Sequence, residues 1–353
     1  MTGSLQNTYD FETGVYRPPS EGGSHSLLLR LTRNCPWNHC TFCGMYKEEK
    51  FQLRPVEDIK QDIDAMAAVF SQLRKQSFEM GLGGDIDQEV AHALIQKKPE
   101  LSYHHGFAMV FHWIMSGART AFLQDADSLI MKTGQLTAVI EHLRSTFPSL
   151  ERVTTYARSK TLAHKSPEEL KAIRRAGLDR VHVGLESGDD SVLKKVRKGA
   201  TGDIHIQGGL KAKEAGFQLS EYWMPGLGGR TLWKPHALGT AKILSAIDPD
   251  YIRSRPLSIW PGTPLQNELS ANQFEVQSAR EHLLELKITI EHFNLTSRVC
   301  FDHSGNYWKN GSGDLLFSLD YEGYKFPEEK QRLLDLIEEG LQYNKTRPKH
   351  IRM

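Results

Sequence analysis

The sequence predicts an α/β fold built on a parallel sheet, and three observations carry that prediction. Six short apolar runs alternate with segments in which apolar residues recur every three or four positions. One strand and one helix together take about 30 residues, as in a chain of βα units. Most residues of unusual chemistry follow the ends of the apolar runs, where parallel sheets bind their ligands. An open doubly wound sheet and a barrel both fit this pattern.

The individual elements follow from local pattern. Strands are predicted at the short apolar runs, which lie at 26–31, 120–125, 151–157, 179–186, 217–224 and 250–257. The first helix follows Pro55, because Val56, Ile59, Ile63 and Met66 lie on one apolar face. Further helices are predicted at 136–147, from Pro167 onward, up to Ala215 and up to Ile247.

The helix that starts at Pro167 has the clearest start and stop signals in the chain. Ser166 is its predicted N-cap, and Glu169 follows three residues later, as in a capping box. Proline in the first turn and Gly177 after the last turn complete the pattern.

Four segments are predicted along the chain. They are an extended Gly/Ser/Pro-rich segment at 1–24, a strand–helix core at 25–270, a helical extension at 271–345 and a basic tail at 346–353. The extension holds two predicted helices, at about 275–293 and 327–343, on either side of a polar loop at 302–314. An insertion at 78–118 separates the first helix from the second strand.

Composition excludes some classes of function. The chain has 353 residues, with 44 basic against 43 acidic side chains, so no overall field draws it to nucleic acid or acidic membranes. The longest apolar stretch, 106–118, is too short to span a bilayer. The N-terminus lacks the charged start, apolar core and cleavage site of a secretory signal. We therefore expect a cytoplasmic protein with no membrane span and no nucleic-acid partner.

Three of the four cysteines lie within nine residues, as Cys35, Cys40 and Cys43, just after the first predicted strand. Three thiolates can hold three irons of a four-iron cluster and leave the fourth iron open to a small ligand. Zinc is an alternative, because His39 or a distant histidine could supply a fourth ligand, although there is no second CxxC pair. A disulfide would leave one thiol over. The pattern favours an iron–sulfur cluster and leaves zinc, redox and packing roles open.

A cysteine triplet at this place in a βα array resembles the radical S-adenosylmethionine (SAM) superfamily, in particular its coproporphyrinogen-oxidase and Elongator-like branch. The usual spacing there is three residues and then two, whereas this chain has four and then two. Four further stretches resemble family motifs in the same order, namely FLQDADSL (122–129), VGLESGDDSVLKKVRKG (183–199), MPGLGG (224–229) and PGTPL (261–265). The resemblance covers roughly 25–265 and implies a partial (β/α)6 TIM-like barrel with a helical C-terminal segment.

The resemblance implies contacts to the polar groups of SAM. Asp127 takes the place of the acid that contacts the amino group, and Glu186 would face the ribose hydroxyls. Lys198 falls where a basic residue holds the carboxylate, with Arg197 as its competitor. Each acid has a structural alternative, as a helix cap or as a solvated side chain.

Other contacts are expected around the adenine and the cluster. Gly226 and Gly228 belong to the motif that lies beside adenine, where glycine allows close approach of the backbone. Phe42 would supply an apolar contact near the cluster. Arg158 follows the third strand and is expected either to face the pocket or to cap that strand. His303, in the polar loop, is a candidate substrate contact or an ordinary loop residue.

The function implied by the resemblance is that of a radical SAM enzyme with one 4Fe-4S cluster and SAM as cofactors. One electron from the cluster would cleave SAM, and the resulting 5′-deoxyadenosyl radical would abstract hydrogen from a small-molecule or otherwise unidentified substrate. A flavodoxin or ferredoxin is the expected reductant. Cys300 is expected to be a buried strand cysteine, so no second cluster is predicted. A zinc-binding interaction module and a tRNA-modifying radical SAM enzyme are the alternatives.

Overall fold

The computed structural model describes residues 9–15 and 25–343, which form two compact units. The first unit takes in the described residues up to Asn34 together with Phe51–Tyr156 and Ala172–Arg180. The second unit takes in Cys35–Lys50, Ala157–Lys171 and the described residues from Val181 onward. The predicted tail at 346–353 and most of the predicted extended segment at 1–24 lie outside the described residues. The segment boundaries proposed from the sequence therefore stay predictions.

The first unit is built on parallel strands and the helices that follow them. Its strands are β1 (Ser26–Arg30), β2 (Thr32–Arg33), β3 (Gln52–Leu53), β4 (Thr120–Gln124) and β5 (Arg152–Ala157). Its helices are α1 (Val56–Glu79), α2 (Gln88–Lys97), α3 (His105–Met115) and α4 (Thr133–Thr146). β4 pairs in parallel with β1 on one side and with β5 on the other, and β2 pairs with β3 in antiparallel. The 78–118 insertion thus forms α2, a 3-10 turn and α3.

Helix α1 shows why periodicity predicted this unit well. Its apolar face, with Ile59, Ile63, Met66 and Leu73, is completely buried. Burial of each such side chain contributes about 1.5–3 kcal/mol relative to exposure. The helix contacts β1, α3 and α4, so its apolar face closes the core of the first unit.

The second unit continues the alternation. Its strands are β6 (Arg180–Glu186), β7 (Gln218–Trp223), β8 (Tyr251–Ser254), β9 (Arg298–Cys300) and β10 (Tyr324–Lys325). Its helices are α5 (Ser159–His164), α6 (Pro167–Ala176), α7 (Asp190–Lys195), α8 (Gly202–Glu214), α9 (Gly229–Ile247), α10 (Pro264–Ser270), α11 (Ala279–Glu291) and α12 (Lys330–Tyr343). Of α6, the residues from Ala172 onward are counted with the first unit. β7, β8 and β9 are parallel neighbours, and β10 is antiparallel to β9. At the start of α6, Ser166 and Glu169 form the predicted capping box, each side chain accepting the backbone N–H of the other.

The predicted fold class, α/β with a partial (β/α)6 TIM-like barrel and a helical C-terminal segment, is confirmed. The C-terminal segment contains more than the two predicted helices, because β9 and β10 add strands beside β8. Cys300 lies in β9 and is fully buried, as expected for a strand cysteine. None of the helices in residues 9–15 and 25–343 is long and apolar enough to cross a membrane.

Candidate active site in the second unit

The cysteine loop, residues 35–50, belongs to the second unit and has no helix or strand of its own. Asn38, within the four-residue spacer after Cys35, takes a left-handed conformation at φ 48°. Its side-chain amide donates to the backbone carbonyls of Tyr46 and Glu49, and the Lys47 ammonium donates to the Asn38 and Cys40 carbonyls. Asparagine tolerates this conformation better than most residues. The unusual spacer therefore folds into a hydrogen-bonded turn.

Two of the motif-like stretches hold the cysteine loop in place. The Thr41 N–H donates to the Val196 carbonyl at 3.0 Å, and the Thr41 carbonyl accepts from the Leu265 N–H at 3.0 Å. The Trp37 indole donates to the Arg197 carbonyl at 2.7 Å and lies directly against Gly199. The 183–199 and 261–265 stretches thus converge on the loop, as motifs that serve one site should.

All four cysteines are free thiols. Cys40 and Cys43 pack against an apolar cluster made of Phe42, Val192, Val196, Met224, Leu227, Leu257, Leu265 and Phe274. Burial raises the pKa of Cys40 to about 11, with the Lys198 charge acting in the opposite direction. Burial also raises the pKa of Cys43, opposed by the Met45 N–H and the Arg255 charge. Because metal ligands are thiolates, iron binding here would have to displace protons.

The fourth cysteine takes no part in this group. The Cys300 thiol donates to the Tyr321 carbonyl at 3.4 Å, and burial raises its pKa to about 12. In the part of the chain that is described, no three His, Cys, Asp or Glu side chains lie close enough together to hold a single metal ion. That finding includes the loop cysteines, so Cys35, Cys40 and Cys43 supply three free thiols on one loop but are not gathered around a single metal ion in this structure.

Glu186 and Lys198 form a buried ion pair beside the loop, with 2.9 Å between the Glu186 Oε1 and the Lys198 Nζ. Burial opposes the charge on Lys198, but the charges of Glu186 and Cys40 outweigh it and raise the pKa of the lysine. Any side chain at Gly184 would collide with this pair, so glycine leaves the room for it. Arg197 is exposed, so of the two candidate bases Lys198 is the one that faces the site.

One oxygen of this pair is left without a partner. Glu186 ends β6 in a left-handed conformation, at φ 64°, and its side chain is buried. Its Oε2 is buried and accepts no hydrogen bond from the residues that the structure describes. A buried acceptor with no donor costs about 1–3 kcal/mol, which a hydroxyl-bearing ligand would recover. The site therefore fits a molecule with hydroxyl groups, such as the ribose of SAM.

Arg158 contacts the cysteine loop and the ion-pair segment together. Its guanidinium lies over the Trp37 ring at 5.1 Å, and it donates to the Lys198 carbonyl at 3.2 Å. Arg158, predicted either to face the pocket or to cap its strand, is thus placed so that it holds Trp37 and the Lys198 backbone in position.

The glycines of the 224–229 stretch are explained by packing within the protein. Gly226 has φ 89°, and a Cβ there would lie 2.5 Å from the His282 ring. A Cβ at Gly228 would lie 2.7 Å from the Leu232 carbonyl oxygen. Both positions therefore require glycine in this structure, whether or not adenine lies against the same segment.

A buried polar network lies beneath this segment. Glu285, on α11, accepts the Gly226 N–H at 2.8 Å and lies 3.4 Å from the His236 Nε2. His236 donates from Nε2 to the Met224 carbonyl and accepts from the Ser187 hydroxyl at Nδ1. Burial raises the pKa of Glu285 to about 8 and lowers the pKa of His236 to about 4. Both groups are therefore neutral near pH 7, and their contact is a polar contact rather than an ion pair.

Asp127 lies in the first unit. It follows β4, is completely buried and does not cap the short 3-10 turn that comes after it, so the capping alternative for this residue is wrong. Its neighbour Asp125 is held by the Arg30 guanidinium at 2.7 Å and by the Asn34 N–H at 3.0 Å. Asp125 thus has a clear structural role, whereas the role of Asp127 toward SAM stays a prediction.

Two buried titratable residues, Glu221 and His205, were not among the candidates predicted from the sequence. Glu221, in β7, is fully buried, and neither of its carboxyl oxygens makes a hydrogen bond to any described residue. Burial raises its pKa well above the usual value. His205, in α8, is also fully buried, neither of its ring nitrogens is hydrogen-bonded within the described part of the chain, and burial lowers its pKa to about 3. The one available signal was an acid inside the apolar run LSEYWM.

A cavity of about 170 Å3 adjoins Cys43. Its apolar walls come from Phe42, Met224 and Trp260, and its polar groups include Arg255 and His303. Trp260 packs closely on Gly44, so the cavity wall is joined to the cysteine loop. Of these residues, the sequence had suggested Phe42 and His303 but neither Arg255 nor Trp260.

The parallel α/β fold and this cavity at the strand ends are those of a partial-barrel protein. Comparison with known protein families identifies the family to which the chain belongs. The family described as the radical SAM superfamily matches residues 29–238, which is more than half of the chain. The chain belongs to the radical SAM superfamily. Members of this superfamily use SAM-dependent radical chemistry and typically bind a 4Fe-4S cluster together with SAM.

Solved structures include similar chains at low identity. Elp3 of the archaeon Methanocaldococcus infernus, with residues 1–46 deleted, is 15% identical, with a TM-score of 0.43 over 65% of this chain and 55% of that one. Methylornithine synthase (PylB) is 14% identical, with a TM-score of 0.46 over 90% and 72%. Coproporphyrinogen III oxidase (HemN) of Escherichia coli is 15% identical, with a TM-score of 0.43 over 71% and 48%. The chain thus spans about half of Elp3 and of HemN. No curated protein sequence matches it.

Proposed function

We propose that this enzyme binds one 4Fe-4S cluster through Cys35, Cys40 and Cys43 and cleaves SAM reductively to act on a small-molecule substrate. The observation that carries the proposal is the convergence of two of the motif-like stretches, 183–199 and 261–265, on the cysteine loop at Thr41 and Trp37. Three thiols and no fourth cysteine nearby match a cluster with one iron left for SAM.

The residues around the loop suit the two ends of SAM. The unpartnered Glu186 Oε2 would accept a ribose hydroxyl, and Lys198, already beside it, would face the carboxylate of SAM. Gly226 and Gly228 would lie along the adenine, with Phe42 as an apolar neighbour near the cluster. Asp127 would hold the amino group. Arg158 would act through Trp37 and the Lys198 backbone and so keep the loop in position.

When bound, the cluster supplies one electron and SAM supplies the 5′-deoxyadenosyl radical that removes a hydrogen atom from the substrate. The protein excludes water and holds the reacting groups in place. Phe42, Met224 and Trp260 line the cavity at Cys43 with apolar surface suited to that purpose. We further propose a flavodoxin or ferredoxin as electron donor, and a catalytic core at 25–270 followed by the extension at 271–345.

Anaerobic reconstitution with iron and sulfide tests the proposal. We expect about four irons per chain, a broad absorption band near roughly 400 nm and, after reduction, formation of 5′-deoxyadenosine from SAM. Replacement of Cys43 by alanine should abolish SAM cleavage, whereas Cys300→Ala should retain it. Protein that takes up stoichiometric zinc and no iron would instead be a zinc-binding module.

A further inference from the structure

Arg253 and Arg255, with one residue between them, lie on the same side of one strand. Among the described residues, only Arg253 is neutralised by an acidic partner. Arg253 lies in β8, and the Arg255 N–H donates to the Trp223 carbonyl at 2.9 Å, which extends the strand pairing past the end of β8. Side chains two residues apart in a strand point to the same side. Both guanidinium groups therefore lie on the side of Tyr222, which is the register partner of Arg253.

The charge of Arg253 is fully accounted for within the protein. Its guanidinium donates to the Asp302 carboxylate at 2.7 Å and lies between the rings of Tyr251 and Tyr321, at 4.9 and 4.5 Å. It is completely buried, so it is a structural cation.

Arg255 has no such partner. Within residues 9–15 and 25–343 its guanidinium makes no hydrogen bond and no ion pair, although it lines the cavity beside Cys43. Its positive charge acts on Cys43 and on His303, which are both cavity residues. A half-buried, unpaired guanidinium at the wall of a cavity is suited to an anion, since its planar fork matches carboxylate and phosphate oxygens.

The cavity also limits the size and character of what it holds. A cavity of about 150 Å3 lined by apolar side chains can take up benzene, and this cavity measures about 170 Å3. Its Trp260, Phe42 and Met224 walls favour an apolar or aromatic body beside the charged group.

We propose that Arg255 anchors the substrate of this enzyme through an anionic group, a carboxylate or a phosphate, with the apolar body of the substrate against Trp260. The inference rests on the proposed function in two respects, the place of Cys43 in the cofactor site beside this cavity and the assignment of Lys198 to SAM. SAM has a carboxylate of its own. Lys198 lies beside Glu186 and is assigned to that carboxylate, which leaves Arg255 for the substrate.

The test uses three small probes of similar size, benzoate, phenyl phosphate and benzamide, titrated into the whole protein by NMR. At least one of the two anions should bind at one site, with an affinity of about millimolar order for so small a molecule. Neutral benzamide should bind at least tenfold more weakly. The better of the two anions identifies the group.

Variants tie the binding to one residue. Arg255→Gln should weaken anion binding at least tenfold, and Arg255→Lys should give an intermediate loss because it keeps the charge without the fork. Arg119→Gln, which changes an exposed arginine of the first unit, should bind as the unaltered protein does. Equal binding by the unaltered protein and by a folded Arg255→Gln or Arg255→Lys variant would overturn the proposal.

Competition with SAM separates the two anion sites. In reconstituted protein, saturating SAM should leave benzoate binding in place. Displacement of benzoate by SAM in direct competition would assign Arg255 to SAM and refute the substrate assignment. The probe titration needs no cluster, so failed reconstitution would refute the proposed function while the dependence on Arg255 would still be measured.

Discussion

Replacing Glu285 by glutamine should remove a pH-dependent loss of stability. The carboxyl group is completely buried on α11, where Oε1 accepts the Gly226 N–H. Glutamine has the same shape and can accept the same hydrogen bond, but it does not ionise. The substitution therefore isolates the contribution of the charge.

The structure gives the size of the effect. Burial raises the pKa of Glu285 from 4.5 to about 8, and at about 1.36 kcal/mol per pH unit that difference corresponds to roughly 5 kcal/mol. Because the folded protein holds the proton more tightly than the unfolded chain, this stability is fully present below pH 4.5. It is lost as the pH rises toward 8.

Urea unfolding between pH 4.5 and 9 measures this loss. The stability of Glu285→Gln relative to the unaltered protein should rise with pH by roughly 5 kcal/mol at most, with the change complete just above pH 8. The comparison cancels the contribution of His205, whose lowered pKa acts in the opposite direction below about pH 6.5. His236 contacts Glu285, so its own contribution below about pH 6.5 is not cancelled. Glu291→Gln, at an exposed position of the same helix, is the matched control. Parallel curves for Glu285→Gln and the unaltered protein would refute the reasoning.

Two further predictions concern the elements around the cysteine loop. Lys198→Met and Glu186→Gln should each cost about 3–5 kcal/mol in urea unfolding, because each leaves a buried group unpaired. The double variant should cost less than the sum, and Arg197→Gln should change stability by less than about 0.5 kcal/mol; additive losses would contradict the pairing. Gly199→Ala places a Cβ 2.5 Å from the Trp37 ring at φ 73°, so it should cost about 1–3 kcal/mol and reduce iron uptake. Unchanged uptake in that variant would show that Trp37 does not hold the loop.

Local pattern was sufficient for much of the fold. The apolar residues of α1 recur every three or four positions, and the capping box joins Ser166 and Glu169, which are three positions apart. Both patterns are local, so the sequence displays them directly. β9 and β10 are three and two residues long, which is too short for any period to show. Their place in the sheet comes from pairing with distant strands, which no local pattern records.

The site was predictable in its residue types but not in its pairings. The cysteines and Glu186 could be named from their positions at strand ends and Lys198 from the family resemblance, yet nothing in the sequence showed that the two charged residues pair. Among the described residues the charge of Arg255 is unpaired, whereas Arg253 pairs with Asp302, which lies 49 residues further on. Such differences between similar residues arise only from tertiary contacts.

The most direct test of the central claim is electron paramagnetic resonance of the reconstituted, reduced protein before and after addition of SAM. We expect a signal of a reduced 4Fe-4S cluster whose g-values change when SAM binds the open iron, and loss of that signal in Cys43→Ala. A cluster signal that SAM leaves unchanged, or protein that holds no iron at all, would contradict the account.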